Sequence, residues 1–346
     1  MFGYFEEKRA SKIFKEAYVS GINTFISDGY RHQEEARTAY IAGIARDPEK
    51  YRSDLRNMLG FPLNDQQSMN SQTSLSKVLL FEDDEKVIYR TTVTVLDAIP
   101  FTGLLFLHKD TNPRPFIIVQ HGGSGTPELC SGFFNNRTAN YNNMTERVFL
   151  RGANVFAPQL LLWSDDYETD GFKRSDRIIL DGQLKQLGGS IASLEIFCII
   201  KSIDALCTVG YADAQHLGMI GFSYGGFYTL FTTAIEKRLK AAFSCSFFNK
   251  RSHYPWLDWT WMGSAGKFLD AEAAMLIYPR CLRIAVGDND ELFNAKLAVE
   301  EFDRLRKLSH DIYGNTDWFD TCIFPGTHEF IKTDDFIEKV IAEVSK

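Results

Sequence analysis

The chain has 346 residues with 38 basic and 45 acidic side chains, a net charge of −7, and 45% hydrophobic and 24% charged residues. Those are values of a globular protein large enough for one α/β domain with an appendage, or for two modest domains, and they exclude intrinsic disorder. The acidic balance, with no basic block, argues against a nucleic-acid partner, and no apolar run reaches the length of a membrane span.

Residues 1–75 read as a helical extension. Phe14, Tyr18 and Ile22 repeat at i, i+4, i+8, and Tyr51, Leu55, Met58 and Leu59 repeat similarly, so each set makes a stripe on one helical face. Asp47 before Pro48 is a helix start, with Asp47 as N-cap and Pro48 in the first turn. The polar run Asn64–Ser76 reads as a linker or loop. The remainder, 76–346, reads as one catalytic domain.

Val87–Val95 and Ile99–His108 are strands that can pair through the turn at Asp97-Ala98. Phe116–Gln120 is continuously apolar, as a buried parallel strand would be. A helix is predicted around 142–151, a strand at 154–157 and one long helix near 183–207. A strand at 216–221, a helix at 225–238 and a strand at 240–247 follow. Beyond a loop-rich insertion at 248–278 come a strand at 281–286, a helix at 294–308, a strand at 318–323 and a last helix at 331–344. Strict alternation of strand and helix implies a mostly parallel sheet with helices on both faces.

Gly221-Phe-Ser-Tyr-Gly225 has the G-x-S-x-G pattern, which arises by chance in roughly one chain in ten of this composition. Its flanks decide in its favour, because an apolar strand runs into it and a helix leaves it. A serine hydroxyl needs a base, and the base an orienting carboxylate. Of the histidines beyond Ser223, His253 falls in the insertion and His310 precedes a strand at its far end. His328 lies on a Pro/Gly-punctuated loop after the last strand, where a base can reach over the sheet edge. The acid comes from the turn after 281–286, where Asp288, Asp290 and Glu291 are all candidates and Asp290 is favoured. His121-Gly-Gly-Ser-Gly125 can aim backbone N–H groups at a developing oxyanion, with Gly123 the first donor, Gly122 beside it, and Tyr224 N–H the second. His121 itself reads as a buried structural histidine.

These segments resemble the dienelactone-hydrolase-like and acetyl-xylan-esterase-like α/β-hydrolases. The resemblance runs over about 87–340 and is carried by Pro115–Gly123, Gly152–Pro158, Gly218–Gly226, Tyr278–Gly287 and Gly326-Thr-His328. It implies an eight-stranded, mostly parallel sheet, a Ser/Asp/His triad, and an acid standing third after the strand-terminal glycine, which is Asp290. The chain departs from dienelactone hydrolase itself in having Ser rather than Cys at 223, and the first 75 residues lie outside the shared core.

The insertion at 248–278 follows the sixth strand of that expected sheet and holds Tyr254-Pro-Trp-Leu-Asp-Trp-Thr-Trp261. It reads as a lid whose rings anchor it by packing, or alternatively as an aromatic platform for substrate. Trp256 and Trp259, with Trp163 of the loop 162–166, are the candidate pocket residues. The expected activity is hydrolysis of a small-molecule carboxylic ester through an acyl-serine, without cofactor or metal, by a monomer or homodimer. The alternatives are a peptidase or amidase related to prolyl oligopeptidase, and an inactive ligand-binding scaffold. Six scattered cysteines, several in apolar runs, with no signal-peptide pattern at the start, suggest a reduced, cytoplasmic protein.

Overall fold

The computed structural model describes residues 8–110, 112–133, 139–163, 171–254 and 256–346. Three helices come first: α1 (Lys8–Ile41), α2 (Pro48–Leu59) and α3 (Gln66–Met69). Asp47 caps α2 as expected, its side chain accepting from the Lys50 amide at 3.1 Å. The nine strands are β1 (Ser74–Glu82), β2 (Lys86–Val95), β3 (Ile99–His108), β4 (Phe116–Gln120), β5 (Asn154–Pro158), β6 (Leu217–Phe222), β7 (Leu239–Cys245), β8 (Cys281–Gly287) and β9 (Phe319–Phe324). Between and after them run α4 (Pro127–Ser131), α5 (Met144–Leu150), α6 (Arg174–Gln186), α7 (Ile191–Thr208), α8 (Tyr224–Ile235), α9 (Asp270–Met275), α10 (Ala295–Tyr313) and α11 (Asp335–Val344).

All nine strands form one sheet in the order β1-β2-β3-β5-β4-β6-β7-β8-β9. β1, β2, β3 and β5 pair antiparallel in turn, and every pairing from β5 through β4 to β9 is parallel. The buried residues of one sheet face pack with α2, α7, α8 and α10, those of the other with α5 and α11. Continuously apolar β4 and β6 have every residue buried, as strands covered on both faces must be. Placing β5 beyond β4 opens a crevice at the carboxyl ends of the central strands, where ligands of such sheets bind.

The sheet has nine strands rather than the eight expected. β1 begins inside the run assigned to a loop and zips onto β2 from Ser74↔Thr94 to Glu82↔Val87. Its apolar residues Val78–Phe81 are exposed at the sheet edge, so it lacks the alternation that marks a half-buried strand. The single helix expected near 183–207 is two, α6 and α7, parted at Gly188-Gly189. Gly188 has φ +79°, and a Cβ at Gly189 would sit 2.5 Å from the Phe61 carbonyl oxygen. The last helix begins at Asp335, later than the expected 331. The insertion at 248–278 consists of short 3-10 turns at Arg251–His253, Leu257–Trp259 and Ser264–Gly266, followed by α9, whose residues are all buried. No helix among the described residues is long and apolar enough to cross a membrane.

Candidate active site

Ser223 stands at the turn between β6 and α8 with φ +56° and ψ −119°, a conformation that non-glycine residues seldom take. The turn is held open by its glycines. A Cβ at Gly221 would lie 2.1 Å from the Gly225 carbonyl oxygen, and one at Gly225 would lie 2.0 Å from that of Gln120. The Ser223 amide donates to the Cys245 carbonyl on β7 at 2.9 Å, fixing the strained residue to the neighbouring strand. Its hydroxyl therefore projects at the N-terminus of α8.

The structure brings Ser223, His328 and Asp290 together. Ser223 Oγ lies 2.9 Å from His328 Nε2, and His328 Nδ1 lies 3.0 and 3.1 Å from Asp290 Oδ2 and Oδ1. All three are nearly buried, at 5%, 8% and 8% exposure. Asp290 Oδ1 also accepts from the amides of Leu292 (2.9 Å) and Phe293 (2.8 Å), so the carboxylate is held by backbone on one side and offered to the histidine on the other. The other two acid candidates do different work. Asp288 Oδ1 accepts from the Gly326 amide at 3.0 Å, and Glu291 Oε2 accepts from the His328 amide at 3.2 Å. Both brace the loop that carries His328. Phe222 and Phe293 pack on the imidazole, at 4.9 and 5.7 Å between ring centres. His253 contacts Ser252 and His310 contacts Asp311, so neither joins the hydrogen-bonded run from Ser223 to Asp290.

The glycine turn passes directly over the serine. A Cβ at Gly122 would be 2.8 Å from Ser223 Cβ, while Gly123 faces Trp163 and Tyr224. Among the described residues, neither the Gly123 nor the Tyr224 amide is used in a backbone hydrogen bond. His121 is fully buried. Burial pushes its imidazole down to about 4, so the ring is neutral at ordinary pH. Nε2 accepts from the Leu160 amide at 2.9 Å, which leaves the proton on Nδ1 to be donated to the Gly122 carbonyl at 2.8 Å. It thereby ties the glycine turn to the 159–163 loop.

Tyr224 is ringed by aromatic side chains. Trp163 meets it edge-on at 5.3 Å, Trp256 stacks at 6.0 Å and Trp259 lies at 4.3 Å. Trp163 and Trp256 are half-buried, whereas Trp259 is 1% exposed and packs against Phe227, Phe247 and Phe293. The Arg174 guanidinium lies over both half-buried rings, at 4.8 and 5.4 Å. Of the loop 162–166, residues 164–166 lie outside the described residues, as does Pro255 of the insertion.

A buried polar network behind these rings carries no signal in the sequence. Arg177 donates to Asp258 (2.7 Å), Glu195 (3.0 Å), the Tyr228 hydroxyl (2.8 Å) and the Leu161 carbonyl (2.8 Å). The Tyr224 hydroxyl donates to Asp258 at 3.0 Å and that of Tyr228 to Glu195. Burial, reinforced by those carboxylates, holds both phenols protonated. The insertion is thus tied through Asp258 to α6 and to the residue next to Ser223.

No protein-family model and no curated protein matches the chain by sequence. Solved structures do match it in fold. A methylesterase superposes with a TM-score of 0.59 at 17% identity over 89% of this chain, which spans 66% of that protein's length. A glucuronoyl esterase from Solibacter usitatus gives 0.62 at 13% identity, covering 87% of this chain and 92% of that one. Acetyl xylan esterase 1 from Thermoanaerobacterium sp. JW/SL YS485 gives 0.55 at 15% identity, covering 85% and 93%. These likenesses establish the α/β-hydrolase fold.

Proposed function

We propose that this protein is a serine hydrolase that cleaves a small carboxylic ester through an acyl-Ser223 intermediate. The observation that carries the reading is the unbroken hydrogen-bonded run from Ser223 Oγ through His328 to Asp290 at a strained strand-to-helix turn. The similar solved structures named above are esterases, which favours an ester over an amide as the bond cleaved.

Ser223 Oγ attacks the acyl carbon while His328 Nε2 takes its proton. Asp290, accepting from Nδ1–H, steadies the imidazolium so formed. We assign the main-chain N–H groups of Gly123 and Tyr224, with Gly122 shaping the turn, to the oxyanion of the tetrahedral intermediate. On collapse, the carbon–oxygen bond to the alcohol breaks and His328 returns the proton to that oxygen. Water, activated by the same histidine, then attacks the acyl-serine and releases the acid, regenerating the hydroxyl. Trp163 and Trp256 are the pocket walls of this reading, and Trp259 supports them from the core. The insertion at 248–278 serves as the lid, on a catalytic domain that begins with β1 after the helical segment. Six free cysteines, four of them buried, fit a reducing compartment, and a cytoplasmic setting is proposed on that ground; a secreted protein in cell fractionation would contradict it.

The experiment is turnover of short p-nitrophenyl esters by the wild-type protein and by Ser223→Ala, which leaves packing almost unchanged. Hydrolysis by the wild type and its loss in the variant are expected. Equal rates in the two proteins would refute the reading.

A further inference from the structure

The expected apolar stripe on α1 forms, yet none of the described residues covers it. Over the arm from Lys8 to Gly29, 22 residues or about 33 Å of helix, Phe14, Tyr18, Val19, Ile22, Phe25 and Ile26 are 40–79% exposed. At 100° per residue, Phe14, Tyr18, Ile22 and Phe25 lie within 80° of one another, and Gln33 and Tyr40 continue the same face. Farther along, that face docks on the body. Tyr40 packs edge-on against Phe268 at 5.5 Å, Gln33 lies against Gly266, and the adjoining Arg37 pairs with Glu272 at 3.0 Å. The arm is therefore a helix whose binding face runs past the end of its own support.

Such an arm is poorly helical by itself. Gly21 and Gly29 interrupt it, and Val19, Ile22, Thr24 and Ile26 are β-branched, so its helicity must come from packing. The six side chains offer roughly 600 Å² of apolar surface, and the stems of Lys12 and Lys15 bring the face near the ~800 Å² per partner that a stable interface takes. Charge along the helix is polarised. Lys8–Lys15 holds four basic residues and no acid, whereas Asp28–Glu35 holds three acids and one arginine.

We infer that the arm is a dimerisation device, taken up by the same arm of a second copy lying antiparallel to it. The antiparallel arrangement sets the basic start of each helix against the acidic segment of the other and buries both stripes at once. Each arm then fills the space beside the partner's body, next to the 264–268 turn.

The test is the mass of the full-length protein in solution by light scattering and sedimentation velocity at 1–50 μM. A particle of about twice the 39.4 kDa chain mass is expected. Phe14→Glu/Tyr18→Glu/Phe25→Glu should be monomeric, with the melting temperature of the body retained. Lys12→Glu/Lys15→Glu should weaken the dimer at least tenfold, and adding Asp28→Lys/Glu35→Lys should restore it. The charge variants keep the proposal testable should the triple variant fold poorly. A wild-type monomer at 50 μM overturns the inference, as does a triple variant that stays dimeric. A monomer that co-sediments with phosphatidylcholine/phosphatidylglycerol vesicles overturns it in favour of a membrane surface. Charge reversal without effect overturns the antiparallel pairing.

Discussion

Asp290→Asn separates the proposed acid from its neighbours, and the structure says how it should fail. In the wild type, Oδ1 accepts two backbone hydrogen bonds, from Leu292 and Phe293. The amide oxygen of an asparagine would keep that position, because turning the NH2 toward two N–H donors would leave all of them unpaired in a buried site. The NH2 then faces His328 Nδ1, 3.0 Å away in the wild type, and donates to it. The imidazole proton moves to Nε2 and points at Ser223 Oγ, so the ring no longer accepts the serine's proton. In a serine protease triad the corresponding Asp-to-Asn change lowers kcat by about 10⁴ through the same wrong tautomer. A loss of about 10³–10⁴, or about 4–5.5 kcal/mol of barrier, is expected here. Steady-state hydrolysis of p-nitrophenyl acetate measures it, with thermal denaturation confirming an intact fold. Asp288→Asn and Glu291→Gln, which alter only the braces of the His328 loop, should cost less than tenfold. Asp290→Asn within tenfold of wild type, or Asp288→Asn the more damaging of the two, would refute the assignment.

Three further outcomes follow from buried groups and close approaches. Glu301 is buried beside Glu272 and Asp270, and burial, aided by those acids, raises its carboxyl from 4.5 to about 8. Between those values the native state holds a proton that the unfolded chain has lost. Stability from this group is thus fully present below about pH 4.5 and lost as pH rises through 8, by up to about 5 kcal/mol. Glu301→Gln keeps an acceptor for the Ala271 amide and should flatten urea-denaturation stability between pH 6 and 9; an unchanged slope contradicts this. Asp258→Ala strips Arg177 of one of its two carboxylates and should destabilise by about 3 kcal/mol, and a loss under about 1 kcal/mol would mean the network is relaxed in solution. Gly225→Ala places a methyl 2.0 Å from the Gln120 carbonyl oxygen and 2.7 Å from its carbon, both backbone atoms, so it should abolish soluble folding. A variant melting within a few degrees of wild type would disprove the tight turn.

What is legible in the sequence depends on whether the physics is local. The parallel strands are uninterrupted apolar runs, and the pentapeptide between β6 and α8 needs its two glycines for contacts only ångströms away, so that turn can be read directly. His328 follows from chain order and from a loop at the carboxyl end of β9. β1 escapes because an exposed edge strand needs no alternating face, although Val-Leu-Leu-Phe before Asp83-Asp84 is a hairpin signal. The break at Gly188-Gly189 escapes because the apolar pattern runs on through both helices. Arg177, Asp258 and Glu195 are unreadable for a deeper reason. Each is a charged residue on a different element, indistinguishable from solvated surface until the fold gathers all three. The stripe on α1 is plain as a pattern, but a pattern does not say whether its own chain will cover it.

The most direct test of the acyl-serine mechanism is intact-protein and peptide mass spectrometry after incubation with a fluorophosphonate. One adduct per chain is expected, on Ser223, formed rapidly by the wild type and absent in Ser223→Ala. An unlabelled wild-type protein, or an adduct on another residue that persists in Ser223→Ala, would contradict it.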